Sequence, residues 1–506
     1  MQLCNFIRSL FYLFNDEADS FSGESKREIV LVFPGKYRAP NAQVPLSLLH
    51  IASPLVREGF KVRILDMRVD DFHAFKIGNP IFVGISCIHD SQIGYGLEFA
   101  KKTRVESPES PIVWGGVHPS LLPDQTLDSQ YVDIVVRGEG DSIIRELARK
   151  LENKESLETV GGITYKSEGK IRSTQDSSFI NLDSIPIDLP YELFQLDKYP
   201  PFRAGRFHIQ TSRGCPHACS YCYNSIFNKR MWRAKSARRV LDEIEHILTK
   251  FPQVKIIDPV DDNFFVNRKR VEDICAGMLE RGIKVKWRAD CRFDYLSTYN
   301  KEFLELLQRA GCEELDFGGE SGSDRLQFLV GKDVTPGQMI KSVANLREWA
   351  PNIEPYVSWM SGFPTETEED LKKTFDLMDE MNRTNPKTQH FGIFTYTPLS
   401  PNSLTDLLGS DFVPPQSLEE WGNVDLFHFS PTWHPEKYVE KLHAVAAVTK
   451  YVFYPQMRVK EWSLGYRLSY GILNRLARFR WKHRFFSYPI ELKIVDSFAK
   501  KSRGYL

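Results

Sequence analysis

The sequence predicts an α/β fold in two parts. An N-terminal doubly wound, Rossmann-like parallel sheet precedes a TIM-type βα barrel, and a helical region follows. Three observations carry this expectation. Short, strongly apolar β-rich runs alternate with helical stretches from residue 28 to residue 138. The same strand-then-helix alternation resumes at Phe207 and repeats to Tyr396. In both parts glycine and polar residues gather directly after the strands, where α/β folds hold their ligands. Length agrees, since 506 residues exceed one typical core and imply two or three domains.

Composition is that of a globular protein, 42% hydrophobic and 26% charged. The formal net charge is zero, which removes any global electrostatic argument for a nucleic-acid partner. Eight cysteines in so long a chain are too sparse for a disulfide scaffold and fit a reducing cytoplasmic setting. Leu3 to Phe14 is apolar but interrupted by Asn5, Arg8 and Ser9, and acidic Asp16, Glu17 and Asp19 follow it. Without a positive start or a small-residue cleavage site, it is expected to be a short amphipathic helix. No window of about 18 uninterrupted apolar residues occurs, so no membrane span is expected. The domain plan is an extension over 1–25, a sheet domain over 26–185, a linker over 186–205, a barrel over 206–405 and a C-terminal region over 406–506.

In the first part, Glu28 to Phe33 is a β-rich run ending at Pro34-Gly35, as expected of a buried parallel strand. Leu46 to Glu58 has helical periodicity and stops at Gly59. Strands follow at Lys61–Leu65 and Ile81–Ser86, with a helix to about Val105. Pro111 to Gly116 and Ile134 to Gly138 give two more strand ends. Glycines fall at these ends, where backbone must approach a bulky ligand closely. Lys166 to Asp188 is polar and turn-rich, and Pro186, Pro190, Pro200 and Pro201 mark a hairpin and linker. In the second part, strands are expected at His208–Thr211, Lys255–Asp258, Val285–Ala289, Glu314–Phe317, Glu354–Met360 and His390–Tyr396. Polar loops close them: Asp261-Asp262-Asn263-Phe264, Trp287 to Arg292, Gly318 to Ser323, Ser361 to Thr367 and Thr397 to Ser403.

The first barrel strand runs into Cys215, Cys219 and Cys222, a C-x₃-C-x₂-C run. Close thiols at fixed spacing suit an iron–sulfur cluster or a zinc ion. A structural zinc wants four ligands, usually as two pairs, but Cys4, Cys87, Cys275, Cys291 and Cys312 are scattered singly. Three ligands on a four-iron cluster leave one iron open, the arrangement of a catalytic cluster.

This motif, with Tyr221 before the third cysteine, resembles the signature of radical S-adenosylmethionine (SAM) enzymes. Arg213-Gly214-Cys215-Pro216 and Met231 to Ser236 match one large branch of that family. The resemblance implies a partial barrel of about six βα units and a 4Fe-4S cluster on Cys215, Cys219 and Cys222. It further implies an open iron that chelates SAM, an electron that cleaves SAM to a 5′-deoxyadenosyl radical, and a donor such as flavodoxin or ferredoxin. Asp261 to Phe264 matches a recurrent Asp-Asp-x-Phe motif, and Gly318 to Ser323 stands where resembling enzymes hold the SAM ribose and methionine. Ser400-Pro401-Asn402 is a looser match to the family's Pro-Gly-Thr. The implied SAM contacts are Tyr221, Asp262, Gly318, Gly319, Glu320, Ser321 and Gly362.

Residues 26–185 resemble the cobalamin-binding domain that precedes the barrel in one branch. Ser86-Cys87-Ile88 is followed, after 26 residues, by Gly115-Gly116, as in that pattern. Asn41 stands where the cobalt-ligating histidine of other members would be, a departure shared by much of the radical SAM branch. His73, His89 and His118 are isolated and are expected to be surface or hydrogen-bonded. The implied cobalamin contacts are Ser86, Gly115, Gly116, Gly138 and Glu139; the alternative is a Rossmann-like domain that has lost its cofactor.

The resemblance covers about residues 26 to 405 and implies an enzyme that functionalises an unactivated carbon, by methyl transfer through methylcobalamin. It is similar to anaerobic magnesium-protoporphyrin ester cyclases and carbon methyltransferases, so radical cyclisation or rearrangement without methyl transfer is the rival. RNA methylthiolation would call for further cluster cysteines before the barrel, where only Cys4 and Cys87 occur. A corrinoid-sensing module would have no use for an open-iron cluster. Residues 456 to 506 hold twelve Lys/Arg against three acids, with arginines and aromatics mixed from Leu473 to Phe486. A solvated helical cap on the barrel is the first expectation, peripheral membrane contact the second and a nucleic-acid grip the last. A small-molecule or lipid-like substrate is expected.

Overall fold

A computed structural model describes residues 27–453, apart from 40, 400–403, 409–411 and 426–428, and residues 464–492, apart from 488 and 490. For 464–469 only the backbone is described. Leu3–Phe14 and Ser400–Ser403 therefore lie outside the described residues.

Five parallel strands build the first sheet: β1 (Glu28–Phe33), β2 (Lys61–Asp66), β3 (Val83–Ser86), β4 (Ile112–Gly115) and β5 (Ile134–Val136). Helices α1 (Leu46–Arg57), α2 (Ser91–Glu106) and α3 (Ile144–Asn153) cover it. The period-two alternation of β1 divides its side chains between two cores. Ile29, Leu31 and Phe33 join Leu49 and Ala52 of α1 and Leu147 of α3, whereas Val30 and Val32 join Phe99 and Ala100 of α2. Burial on both faces is why β1 is an uninterrupted apolar run. The expected hairpin exists as β6 (Ile163–Ser167) and β7 (Lys170–Ser173), and it extends the sheet antiparallel beside β5. The order β2-β1-β3-β4-β5 reverses between β1 and β3, which opens a crevice outside their carboxyl ends.

The segment 186–205 forms short 3₁₀ turns and the helix Pro200–Arg203, and it buries Tyr191, Phe194, Tyr199 and Phe202. Tyr199 donates its hydroxyl to Asp66 at 3.0 Å, and Tyr191, Phe202, Phe207 and Phe251 form one aromatic group. One apolar core consequently runs from the first sheet through this segment into the barrel.

The barrel strands are β8 (Arg206–Ile209), β11 (Ile256–Pro259), β12 (Lys286–Cys291), β13 (Cys312–Glu320), β14 (Glu354–Ser361) and β15 (Gln389–Thr395), all parallel. Their order is β15-β14-β13-β12-β11-β8, so the two edge strands leave the barrel open on one side. Between β8 and β11, the two-residue ribbon β9 (Ser212–Arg213) and β10 (Arg233–Ala234) brackets the cysteine loop. Helices α4 (Ala237–Lys250), α5 (Arg268–Glu280), α6 (Lys301–Arg309), α7 (Pro336–Trp349) and α8 (Glu368–Thr384) follow successive strands. Their starts are written locally: Thr335 with Gln338, and Thr367 with Asp370, form reciprocal capping boxes. One expectation is corrected. β13 does not stop at Phe317; Gly318 and Gly319 lie inside it, and its pairing with β14 shifts register between Gly318 and Glu320.

The C-terminal region is helical, as expected, and it also reaches beyond the barrel. The turn Leu418–Trp421 crosses to the first sheet, where both residues enter the core beneath α2 and Trp421 donates to Gln125 at 2.7 Å. Helix α9 (Glu436–Phe453) lies on β15, and α10 (Leu464–Lys482) packs on α9. Among the described residues no helix is long and apolar enough to cross a membrane.

Candidate active site

The cysteine loop is held from several sides. Gly214 has φ +84°, and a Cβ there would sit 2.0 Å from the Met231 carbonyl, so only glycine allows this closure. Its N–H donates to Asp262 at 2.7 Å, and the Ser220 N–H donates to the Val330 carbonyl at 2.9 Å. The Asn263 amide stands 3.7 Å from Cys215 Sγ, and Arg292 Nη1 stands 3.7 Å from Cys219 Sγ. Burial pushes the Cys222 thiol up to about 12, with the Asn224 N–H opposing and the other two thiols adding. Three sulfurs supplied with N–H donors on one loop fit an iron–sulfur cluster. Among the described residues no three His, Cys, Asp or Glu side chains gather tightly enough for one ion.

Beside the loop a chamber of about 330 Å³ occupies the barrel, lined by Asp262, Asn263, Asp290, Arg292, Lys332 and Phe391 among others. Lys332 donates to Glu320 Oε1 at 2.9 Å and Tyr221 donates to the same oxygen at 2.8 Å, so neither occupies Oε2. Glu320 sits at φ +57°, a conformation that costs a non-glycine residue and recurs at binding sites. Gly318 is required by the same group, because a Cβ would lie 2.6 Å from Lys332 Nζ; at Gly319 one would lie 2.8 Å from Val357. A glutamate with one oxygen engaged and one not, beside three thiols, fits the cationic amino group of SAM. Asp290 is exposed to the chamber and closely ringed by the barrel wall. Burial, opposed by Arg288 and aided by Asp261 and Asp262, pushes its carboxyl up to about 7. Asp316 is pushed to about 8, first by burial and then by Asp290.

A second cavity of about 330 Å³ opens at the carboxyl edge of the first sheet, facing the barrel. Ser86, Gly115, Gly116, Gly138 and Glu139 all line it, over an apolar floor that includes Leu31, Phe82 and Val113. Gly116 has φ +103°, and a Cβ would fall 2.2 Å from the Cys87 carbonyl. Gly138 has φ +72° with nothing within 4 Å of its Cβ position. That space is a cradle a side chain would fill, and an apolar slot with glycine walls fits a corrinoid. Gly138→Val should lower corrinoid content at least severalfold while the cluster absorption per chain is unchanged. Its backbone strain costs about 1–2 kcal/mol. Equal corrinoid content in parent and variant would remove Gly138 from the site.

Glu139 has a second task. Its carboxylate pairs with Arg213, at 3.1 Å, and with Arg233, both from the barrel. Arg213 also donates to Asp141 and to His50 Nδ1, each at 2.7 Å. Burial, with Arg213 beside it, lowers the His50 pKa to about 3, so the imidazole stays neutral. His50 lines this cleft and escaped sequence reasoning, whereas Asn41 is exposed and is not among the lining residues. Of the isolated histidines, His73 is exposed, His89 pairs with Asp90 at 3.1 Å, and His118 is buried against Trp421.

Asp262 lines both cavities and so stands between the cysteine side and the sheet side. Burial raises its carboxyl, against the Gly214 N–H. Two candidates fall elsewhere. Ser321 is fully buried and accepts from the Ser323 N–H at 3.1 Å, which makes it a loop brace. Gly362 donates to Glu366 and accepts from Trp433 Nε1 at 3.0 Å, which seats the C-terminal segment on the barrel. Glu366 itself is buried, with Oε1 unpartnered, and burial pushes its carboxyl up to about 8. A raised carboxyl favours the protonated fold, so its contribution is full below about pH 4.5 and is lost as pH rises through about 8. Glu366→Gln should therefore raise the thermal midpoint at pH 8.5 and change it little at pH 5; an equal effect at both would contradict this.

The chain matches the Radical SAM superfamily over residues 209–378 and the B12 binding domain over residues 38–148. An uncharacterized methyltransferase of Pyrococcus horikoshii is 31% identical over 368 residues, 70% of this chain and 78% of that protein. The anaerobic magnesium-protoporphyrin IX monomethyl ester cyclase of Cereibacter sphaeroides is 26% identical over 76% of this chain, which spans only 57% of that relative. Among solved structures, the radical SAM methyltransferase TsrM of Kitasatospora setae superimposes with a TM-score of 0.62 at 20% identity, covering 77% of this chain and 78% of TsrM. The cobalamin-dependent radical SAM enzyme OxsB gives 0.60 at 22% identity, over 82% of this chain and 56% of OxsB. These two likenesses are of fold. Thiols, chamber and glycine-walled cleft coincide with the two matched families, and the chain belongs to the cobalamin-binding radical SAM enzymes, with a 4Fe-4S cluster, SAM and cobalamin as its cofactors.

Proposed function

We propose that this enzyme transfers a methyl group to an unactivated carbon. The observation that carries the reading is Asp262, which lines both the chamber beside the thiols and the corrinoid cleft, so that the two meet on one carboxylate. Bound there, the cluster supplies the electron that cleaves SAM, and the corrinoid supplies the methyl group. The chain's residues do the rest. Cys215, Cys219 and Cys222 hold the cluster, and Glu320, steadied by Tyr221 and Lys332, fixes the amino group of SAM. Abstraction of hydrogen needs no general base. Phe391 lines the chamber on the edge strand β15, and we assign the substrate, a small molecule or lipid-like, to entry along that open edge. A cytoplasmic setting and an external one-electron donor protein complete the proposal; all seven described cysteines are free thiols.

The test uses SAM labelled at its methyl group with the anaerobically reconstituted enzyme and candidate acceptors. Methyl transfer predicts 5′-deoxyadenosine and S-adenosylhomocysteine in about equal amounts and label in the product. 5′-Deoxyadenosine alone, with unlabelled product, would replace this reading by radical cyclisation.

A further inference from the structure

Helix α10 turns two different faces outward and inward. Leu473, Ala477 and Trp481 are buried, with Trp481 against Phe375 of α8 and its indole donating to Asp379 at 2.7 Å. At 3.6 residues per turn the opposite face carries Ile472, Leu476 and Phe479 in one stripe. These are exposed, Ile472 at 62% and Phe479 at 60%. Beside them runs a second stripe of exposed Arg475, Arg478 and Lys482, and Phe485, 50% exposed, continues the apolar side past the helix end. From Gly471 to Ser487 there is no acidic residue. A solvated face has no reason to expose three bulky apolar side chains at i, i+4 and i+7. A face meant for nucleic acid would place cations without that stripe.

We infer that this face of α10 docks on an anionic lipid surface. The apolar stripe enters the boundary between headgroups and acyl chains, and Arg475, Arg478 and Lys482 meet lipid phosphates alongside. The seat is rigid, because Trp481 and Arg484 anchor the helix end to α8, Arg484 pairing with Asp379 at 2.8 Å. Through α9 the helix adjoins β15, the open edge of the barrel, which brings that edge toward the lipid surface.

Flotation of the full-length holoenzyme with vesicles tests this, with phosphatidylcholine alone or mixed with phosphatidylglycerol. The parent should float with the mixed vesicles and be released by high salt. Each cation near an anionic leaflet is worth about fivefold in partitioning, so R475Q/R478Q/K482Q should weaken binding by about a hundredfold. I472Q/L476Q/F479Q should abolish it, and both variants should keep the parent's cluster and corrinoid absorption. Equal flotation of parent and variants would overturn the proposal. So would a concentration-dependent dimer lost in the apolar variant, which would assign the face to a second copy. RNA binding that needs the cations but not the apolar stripe would overturn it as well.

Discussion

Replacing any one of Cys215, Cys219 and Cys222 by alanine should reduce reductive SAM cleavage to that of a protein-free control. The fold should survive, because these residues sit in a loop braced by Gly214, Asp262 and Val330 rather than by sulfur contacts. Iron content and the visible absorption of the reconstituted variant should fall with the activity. Corrinoid content should stay, since none of the three cysteines lines the cleft. Cys275→Ala is the control: its thiol is buried in the barrel wall, and only a packing cost of about 1 kcal/mol is expected. SAM cleavage retained in Cys219→Ala would contradict the assignment.

The second large effect is expected at Arg213. Its guanidinium leaves the residue just before Gly214-Cys215 and reaches Glu139, Asp141 and His50 across the domain boundary. Removing one member of a buried charge group strands the others, at a cost of about 3–5 kcal/mol. Arg213→Met should therefore lower the thermal midpoint strongly and release corrinoid. Adding Asp141→Asn should recover much of that loss, because Glu139 keeps Arg233 as its partner and no buried charge is then left unpaired. The pH dependence has a definite sign. Burial works to raise the Asp141 carboxyl, but Arg213 outweighs it and holds it below the usual range. A depressed carboxylate contributes stability above about pH 4 and loses it as pH falls through the depressed value. The parent should thus lose this contribution in acid and the double variant should not. A double variant as unstable as Arg213→Met would show that the clamp is not an ion-pair effect.

What was legible in the sequence is what local spacing encodes. Cys215, Cys219 and Cys222 lie on one loop, and the glycines of β3, β4 and β5 mark where strands stop, so a motif in one dimension became a site in three. The residues that escaped are contributed singly by remote elements. Lys332 reaches Glu320 from the loop before α7, Arg292 reaches Cys219 from the end of β12, and His50 reaches Arg213 from the middle of α1. A lone lysine, arginine or histidine carries no periodic signal, and only the fold brings each to its partner. Ser321 shows the converse. It stands in the expected motif, but β13 continues to Glu320 and turns its hydroxyl inward. The route of the C-terminal region was equally hidden, because Trp421 docks beneath α2 through a contact almost three hundred residues away in sequence.

The central claim is that one chain houses both a radical-initiating cluster and a corrinoid, with Asp262 between them. Anaerobic purification followed by iron, sulfide and cobalt quantification tests it most directly. About four irons and four sulfides are expected with about one cobalt per chain, with the iron lost in Cys219→Ala and the cobalt lost in Gly138→Val. Cobalt absent from a reconstituted protein that still cleaves SAM would contradict it.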